Sequence, residues 1–135
     1  MADFRVAVAD DYDAVFARIA ADHFDAAYIP GTAINIQNAT RIRELALRHR
    51  IPAASEVPER AQGEGGLLLA YGQDYDWGLA RGAEYVDKVL RGANPSDLPV
   101  VQATKVMLTI NLRTAKTLGL TVPSSLIARA DEVIE

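Results

Sequence analysis

Apolar positions recur at two spacings along this chain, and the switching between them predicts its elements. Residues 4–9 alternate bulky and small side chains and predict a strand. Asp10, Asp11 and Asp13 follow as an N-cap with acids in a first helical turn. Val15, Phe16, Ile19 and Ala20 then continue at helical spacing to about residue 21. Residues 26–29 are a short apolar run closed by Pro30-Gly31, which predicts a buried strand and a turn. A second helix is predicted over about 37–49, with Ile42, Leu45 and Ala46 on one face. Residues 51–55 predict a third strand, with Pro52 at its start. Residues 56–66 are polar, hold Pro58, Gly63, Gly65 and Gly66, and read as a loop with room for one helical turn. A fourth strand is predicted over 67–71. The strongest helix follows over 75–90, with Leu79, Ala83, Val86, Val89 and Leu90 on its apolar face and Gly92 as its C-terminal cap. Residues 93–99 are a turn-rich connector. Residues 106–110 predict a fifth strand, and Asn111 caps a helix over 112–118 that Gly119 stops. A last helix is predicted to open at Pro123 or Ser124 and to reach the C-terminus.

Strands alternating with helices through short connections imply an α/β fold, a mostly parallel sheet with flanking helices. The chain of 135 residues can bury a core without covalent staples. Residues 1–135 are therefore expected to form a single α/β unit, with the 93–99 connector as the best place for a crossing between layers or lobes.

Composition narrows the function. The chain holds 14 Lys and Arg against 18 Asp and Glu, a net charge of −4 that disfavours nucleic acid as a partner. Cysteine is absent, which excludes disulfides, thiolate metal sites and a Cys nucleophile. No stretch approaches the ~20 apolar residues of a membrane helix. The first residues show neither a basic nor an apolar leader region, so no export signal is expected in the chain as written.

Most motifs have plain structural readings. Asp10-Asp11 after a strand resembles the acid pair of response-regulator receiver domains, but the later strand ends offer Pro30-Gly31 and Glu56 where a phosphoacceptor Asp is needed, so helix capping is the better account. His23 and His49 sit near helix C-termini, without the companions a metal site requires. Gly63, Gly65 and Gly66 precede a strand and lack the Gly-Lys-Ser/Thr ending of a phosphate loop. Thr32, Ser124 and Ser125 have no neighbouring base. Arg41, Arg43, Arg48 and Arg50 read as a solvated helix face. No catalytic residue, metal site or cofactor is therefore expected.

The segment Tyr71-Gly72-Gln73-Asp74-Tyr75-Asp76-Trp77 has two readings. It leads from a strand end into a helix N-terminus, which is where open α/β sheets bind ligands. Equally, Tyr75 and Trp77 could do no more than pack the start of the helix. Pro30-Gly31-Thr32 and Ser55-Glu56 end neighbouring strands, so three strand-end loops are expected to converge on one rim.

The runs YVDKVLRGANPSDLPV (85–100), TINLRTAKTLGL (109–120), LIARADEVI (126–134), DAAYIP (25–30) and LAYGQDY (69–75) resemble ABC-transporter substrate-binding proteins of the tryptophan/tyrosine-binding type. The resemblance covers nearly the whole chain in order. It implies a type 1 periplasmic-binding-protein fold with two lobes, of which this chain corresponds to the C-terminal part and would be impaired alone. It also implies capture of a small molecule, in some cases an amino acid, by hinge closure, with delivery to an ABC permease. The implied location is the periplasm, or the cytoplasm if the chain is made as written. Tyr71, Gly72, Asp74 and Tyr75 match the family's ligand segment. Pro30, Gly31, Thr32 and Glu56 join them as expected ligand-binding residues from the converging loops. Where the family's turn carries an Asp, this chain has the uncharged Pro30-Gly31-Thr32-Ala33. The alternative expectation is a self-associating α/β scaffold without a transport role, a homodimer joined through exposed apolar or strand-edge surface.

Overall fold

The computed structural model describes residues 2–63, 65–102 and 104–135. Met1 of the N-terminal stretch read for an export signal, Glu64 of the polar loop, and Ala103 lie outside the described residues. The chain divides into two compact units, Met1–Gly72 with Met107–Glu135, and Gln73–Val106. The 93–99 connector thus lies inside the second unit.

The chain runs α1 (Asp11–Ala21), β1 (Ala27–Tyr28), α2 (Ala33–Gln37), α3 (Ala39–Arg48), β2 (Ala53–Ser55), a 3₁₀ turn (Pro58–Arg60), β3 (Leu69–Gln73), α4 (Tyr75–Leu90), a second 3₁₀ turn (Pro95–Asp97), β4 (Val106–Asn111), α5 (Leu112–Leu118), α6 (Ser124–Ile127) and β5 (Glu132–Ile134). The strands form one sheet in the order β1-β2-β3-β4-β5. The β1/β2, β2/β3 and β4/β5 pairs are parallel, with Tyr28 opposite Ala54, Ser55 opposite Ala70, and Ile110 opposite Val133. This is the mostly parallel α/β sheet that the alternating pattern predicts.

The core of the first unit joins two helices to the sheet. Tyr12, Phe16 and Ile19 of α1 and Ile42, Leu45 and Ala46 of α3 recur at helical spacing and are buried with Ile29, Ile51, Ala53 and Leu67. Each large aliphatic or aromatic side chain buried here contributes about 1.5–3 kcal/mol before entropy is counted. The Tyr12 hydroxyl, carried inward by its ring, donates to Asn35 Oδ1 at 2.5 Å.

Three sequence expectations need correction, and one helix is added. Residues 4–9 form no strand. The Asp11 carboxylate accepts from the backbone N–H groups of Ala7 and Val8, at 2.9 and 3.1 Å, and so removes donors that a ladder would need. For the same reason Asp11 does not cap α1; the N-cap residue is Asp10, whose side chain makes no capping bond. The helix expected over about 37–49 is α3, and a short helix that the pattern did not predict, α2, precedes it. The chain turns at Asn38, whose amide donates to the Ile34 carbonyl at 2.8 Å. The last helix ends at Ile127 instead of reaching the C-terminus. Asp131 then exchanges bonds with Leu108, donating its N–H at 2.9 Å and accepting at Oδ2 at 2.8 Å, which lays β5 beside β4. Smaller shifts affect the predicted 67–71 strand, which starts and ends two residues later as β3.

The second unit holds α4, whose ends agree with the predicted 75–90 helix. Gly92 closes it at φ +97°. The Tyr85 hydroxyl donates to the Pro99 carbonyl at 2.5 Å and ties the connector to the helix. None of the helix's residues is buried, and Leu79 and Leu90 are 73% and 81% exposed.

Candidate functional site

Parallel strands place their C-terminal ends on one edge, so the loops after β1 and β2 meet there, with Gly72 of β3 beside them. Gly31 N–H donates to Glu56 Oε1 at 2.5 Å, and the Tyr28 hydroxyl donates to Glu56 Oε2 at 2.8 Å. Buried Ser55 supports this arrangement from beneath, donating Oγ–H to the Ile29 carbonyl at 2.9 Å and accepting from Val57 N–H at 3.3 Å. Arg60, only 6% exposed, donates to the Pro30 carbonyl at 3.4 Å. Loops 26–30 residues apart in sequence are thereby fixed to one another.

Two glycines make room for Glu56. A Cβ on Gly31 would lie 2.8 Å from Glu56 Oε1 and 2.9 Å from Val57 Cγ2. A Cβ on Gly72 would collide with the Glu56 backbone carbonyl. Gly72 matters here for closeness, since its backbone is not in the left-handed region.

Register sorts the side chains by face. Ala53, Ser55 and Ala70 are buried, and the alternate positions Tyr28 and Tyr71 stand 62% and 58% exposed on the other face. Partial burial is the largest single influence on the Glu56 carboxyl and pushes its pKa up. The bonds from Gly31 N–H, its own N–H and the Tyr28 hydroxyl, with the Arg60 charge, together outweigh burial and hold it below its ordinary value. The Tyr28 phenol is raised, first by its bond to Glu56 and then by burial and the Glu56 charge.

Of the expected residues, Pro30, Gly31, Glu56 and Gly72 meet at this rim, and Tyr71 stands in the middle of the adjoining strand β3. Thr32 occupies the N-cap position of α2 without a side-chain capping bond. Asp74 and Tyr75 belong to the second unit. The Asp74 carboxylate is engaged on both oxygens: Oδ2 pairs with Lys105 Nζ at 2.6 Å, and Oδ1 accepts from Trp77 N–H at 3.0 Å. Lys105 first, then the Trp77 N–H, holds its pKa below the usual carboxylate value. Asp74 is thus the N-cap of α4 and a clasp to Lys105. Tyr75, the first residue of α4, is half exposed.

Sequence reasoning missed Tyr28 and Arg60. Tyr28 was visible only as part of a strand; its place at a strand's last residue, before Pro30, is the signal that could have found it. The other weighed motifs have structural partners. Arg41 pairs with Asp13 at 2.5 Å and Asp10 at 3.6 Å. The glycine loop offers the Ala61 and Gly63 carbonyls to the Asn111 amide at 2.8 and 2.9 Å. Among the described residues no group of three or more His, Cys, Asp or Glu could hold a metal, and no helix is long and apolar enough to cross a membrane.

Comparison with known proteins gives this geometry a family. An ABC domain from Streptococcus pneumonia, solved in complex with L-Trp, superposes with a TM-score of 0.80 at 25% identity, over 97% of this chain and 43% of that one. A conserved domain protein from Vibrio cholerae superposes with a TM-score of 0.77 at 25% identity, over 95% and 42% of the two chains. The ligand-free, open structure of a substrate binding protein with adhesive properties from Clostridium difficile shares the fold, with a TM-score of 0.62 at 20% identity over 96% and 42%. The chain therefore spans less than half the length of these structures. No curated protein matches it. The sequence profile described as ABC transporter substrate binding protein matches residues 2–134, and the chain belongs to that family.

Proposed function

We propose that this chain binds a small organic solute at the β1–β3 rim, as the solute-capturing component of an ABC import system, and that it is not an enzyme. The observation that carries the reading is the convergence of the β1 and β2 strand-end loops and of Gly72 in β3 on Glu56, with exposed Tyr28 and Tyr71 on the same face of the sheet. The family match and the L-Trp complex of a 25% identical structure support it. In this reading the rim is one wall of a cleft in a two-lobed protein, a second lobe closes over the solute by hinge motion, and a membrane permease receives it from the periplasmic side.

A single wall buries only part of a ligand, so affinity is expected near the millimolar range, about −4 kcal/mol. Titration of the isotope-labelled chain with L-tryptophan, other aromatic and branched amino acids, and aromatic amines is expected to give saturable amide shifts at residues 28–31, 56 and 71–72. Absence of saturable shifts with every solute, or shifts confined to other surfaces, refutes the reading.

Self-association is favoured by one specific observation. The exposed apolar residues Leu79, Val86 and Leu90 fall along one helix, α4. If that stripe joins two copies, light scattering shows a dimer, and the double substitution Leu79→Glu and Leu90→Glu returns a monomer. A monomeric wild-type chain at about 0.1 mM excludes this reading.

A further inference from the structure

We propose that Tyr12, a core residue of α1, is a positioning residue for the rim. Through Asn35 it sets the direction of the Pro30–Gly31 peptide group, and so the backbone donor that Glu56 receives. The proposal rests on the solute-binding reading above for its effect on affinity, and adds a control point of that site outside the rim itself.

One peptide group carries it. The Pro30 carbonyl and the Gly31 N–H belong to the same planar unit and, in a trans peptide, point in opposite directions. Fixing the oxygen therefore aims the N–H. On the oxygen side, Asn35 Nδ2 donates to the Pro30 carbonyl at 2.9 Å, an ordinary hydrogen-bond length. Arg60 reaches the same oxygen at 3.4 Å, beyond the usual N–H···O range, so Asn35 is the stronger hold. On the nitrogen side, the Gly31 N–H donates to Glu56 Oε1.

Asn35 is oriented from the core. A primary amide is planar, with an acceptor at one end and a donor at the other. The Tyr12 hydroxyl donates to Oδ1 at 2.5 Å, which turns Nδ2 toward Pro30. Tyr12 is only 2% exposed, so its ring is fixed by packing and its hydroxyl is a firm anchor. The relay thus runs from α1 through α2 to the turn after β1, and from there to the residue that follows β2. Gly31 offers little resistance of its own. Without a Cβ its φ is freer than that of other residues, so the peptide can turn once its oxygen is released. Turning it carries the N–H away from Glu56, and the carboxylate then loses one of the bonds that favour its charged form.

Tyr12→Phe keeps the buried ring and removes the hydroxyl alone. Two signals of the isotope-labelled chain read the result, the Gly31 amide resonance and the titration midpoint of the Glu56 carboxyl. In the wild type that midpoint lies below the ordinary carboxylate value. In Tyr12→Phe and in Asn35→Ala it is expected to move up toward the ordinary value, with a displaced Gly31 resonance. Combining the two substitutions is expected to add nothing further, because they cut the same relay. Ile19→Val thins the same core from the same helix without touching the relay, and is expected to leave both signals in place. Affinity for L-tryptophan is expected to fall about two- to tenfold in Tyr12→Phe and to hold in Ile19→Val. Signals unmoved by Tyr12→Phe, or moved as far by Ile19→Val, overturn the positioning role. A shifted Glu56 with unchanged affinity for L-tryptophan overturns its bearing on binding. A wild-type chain that binds L-tryptophan and every other solute not at all refutes the solute-binding reading instead, and the two signals still decide the role of Tyr12.

Discussion

Replacing Gly72 with alanine is expected to destabilise the first unit by about 3 kcal/mol or more, an effect at the upper end for a single methyl group. The added Cβ would run into the backbone carbonyl of Glu56 and approach the Glu56 Cα to 3.1 Å. A flexible side chain could swing away from such a clash, but the opposing atoms here are main chain. Glu56 is also held from its other side by the Gly31 N–H and the Tyr28 hydroxyl, and the Ser55–Ala70 pairing lies immediately before the contact. Relief therefore requires the ends of β2 and β3 to part, which dismantles the rim along with the strand pair. Urea unfolding checks the magnitude. Gly78→Ala serves as the control, because a Cβ there meets nothing within 4 Å and Gly78 lies inside α4, where alanine is favoured by about 0.5–1 kcal/mol. A Gly72→Ala protein as stable as the wild type would show that the rim is looser than this geometry.

Asn111→Leu is expected to lower stability by about 3 kcal/mol, with the number and branching of side-chain heavy atoms kept. Asn111 is fully buried at the end of β4. Its Oδ1 accepts from Thr114 N–H at 2.9 Å, and its Nδ2 donates to the Ala61 and Gly63 carbonyls. Leucine leaves one donor and two acceptors without these partners, and each unsatisfied buried group adds about 1–3 kcal/mol. Hydrogen exchange separates the two roles. Loss of the cap exposes the first turn of α5, and loss of the long-range bonds exposes residues 61–66. Faster exchange in α5 alone would mean that the loop holds its shape without Asn111.

Asn111 also marks the limit of what local sequence encodes. Its capping role was legible, because a cap bond spans three residues and the pattern Asn followed by a helix signals it. Its bonds to Ala61 and Gly63 span about fifty residues, and no local pattern encodes them. The glycines at 63, 65 and 66 were accordingly legible only as part of a polar loop before a strand. Helix α4 was legible to its ends because sixteen residues repeat one apolar face between a clear cap and a clear stop. Residues 4–9 and 132–134 are short enough for their patterns to mislead. Residues 4–9 alternate as a strand would, yet they give their donors to Asp11. Residues 132–134 continue a helical pattern, yet they pair with β4. For the rim, the converging loops followed from parallel topology alone. The central place of Glu56 did not, because it depends on a tyrosine that reads as an ordinary strand residue.

The unbroken strand order β1-β2-β3-β4-β5 bears on how the chain is made. Each strand's hydrogen-bonding neighbour is the strand translated just before it. On a ribosome the sheet can therefore grow by addition at one edge, each new strand finding its neighbour in the sheet already made. The growing edge moves along with synthesis, so among β1–β5 it is the newest strand that offers itself to another nascent chain. The longest wait falls between β3 and β4, while the whole second unit emerges. That interval is the stage of biosynthesis at which a holding chaperone would matter most.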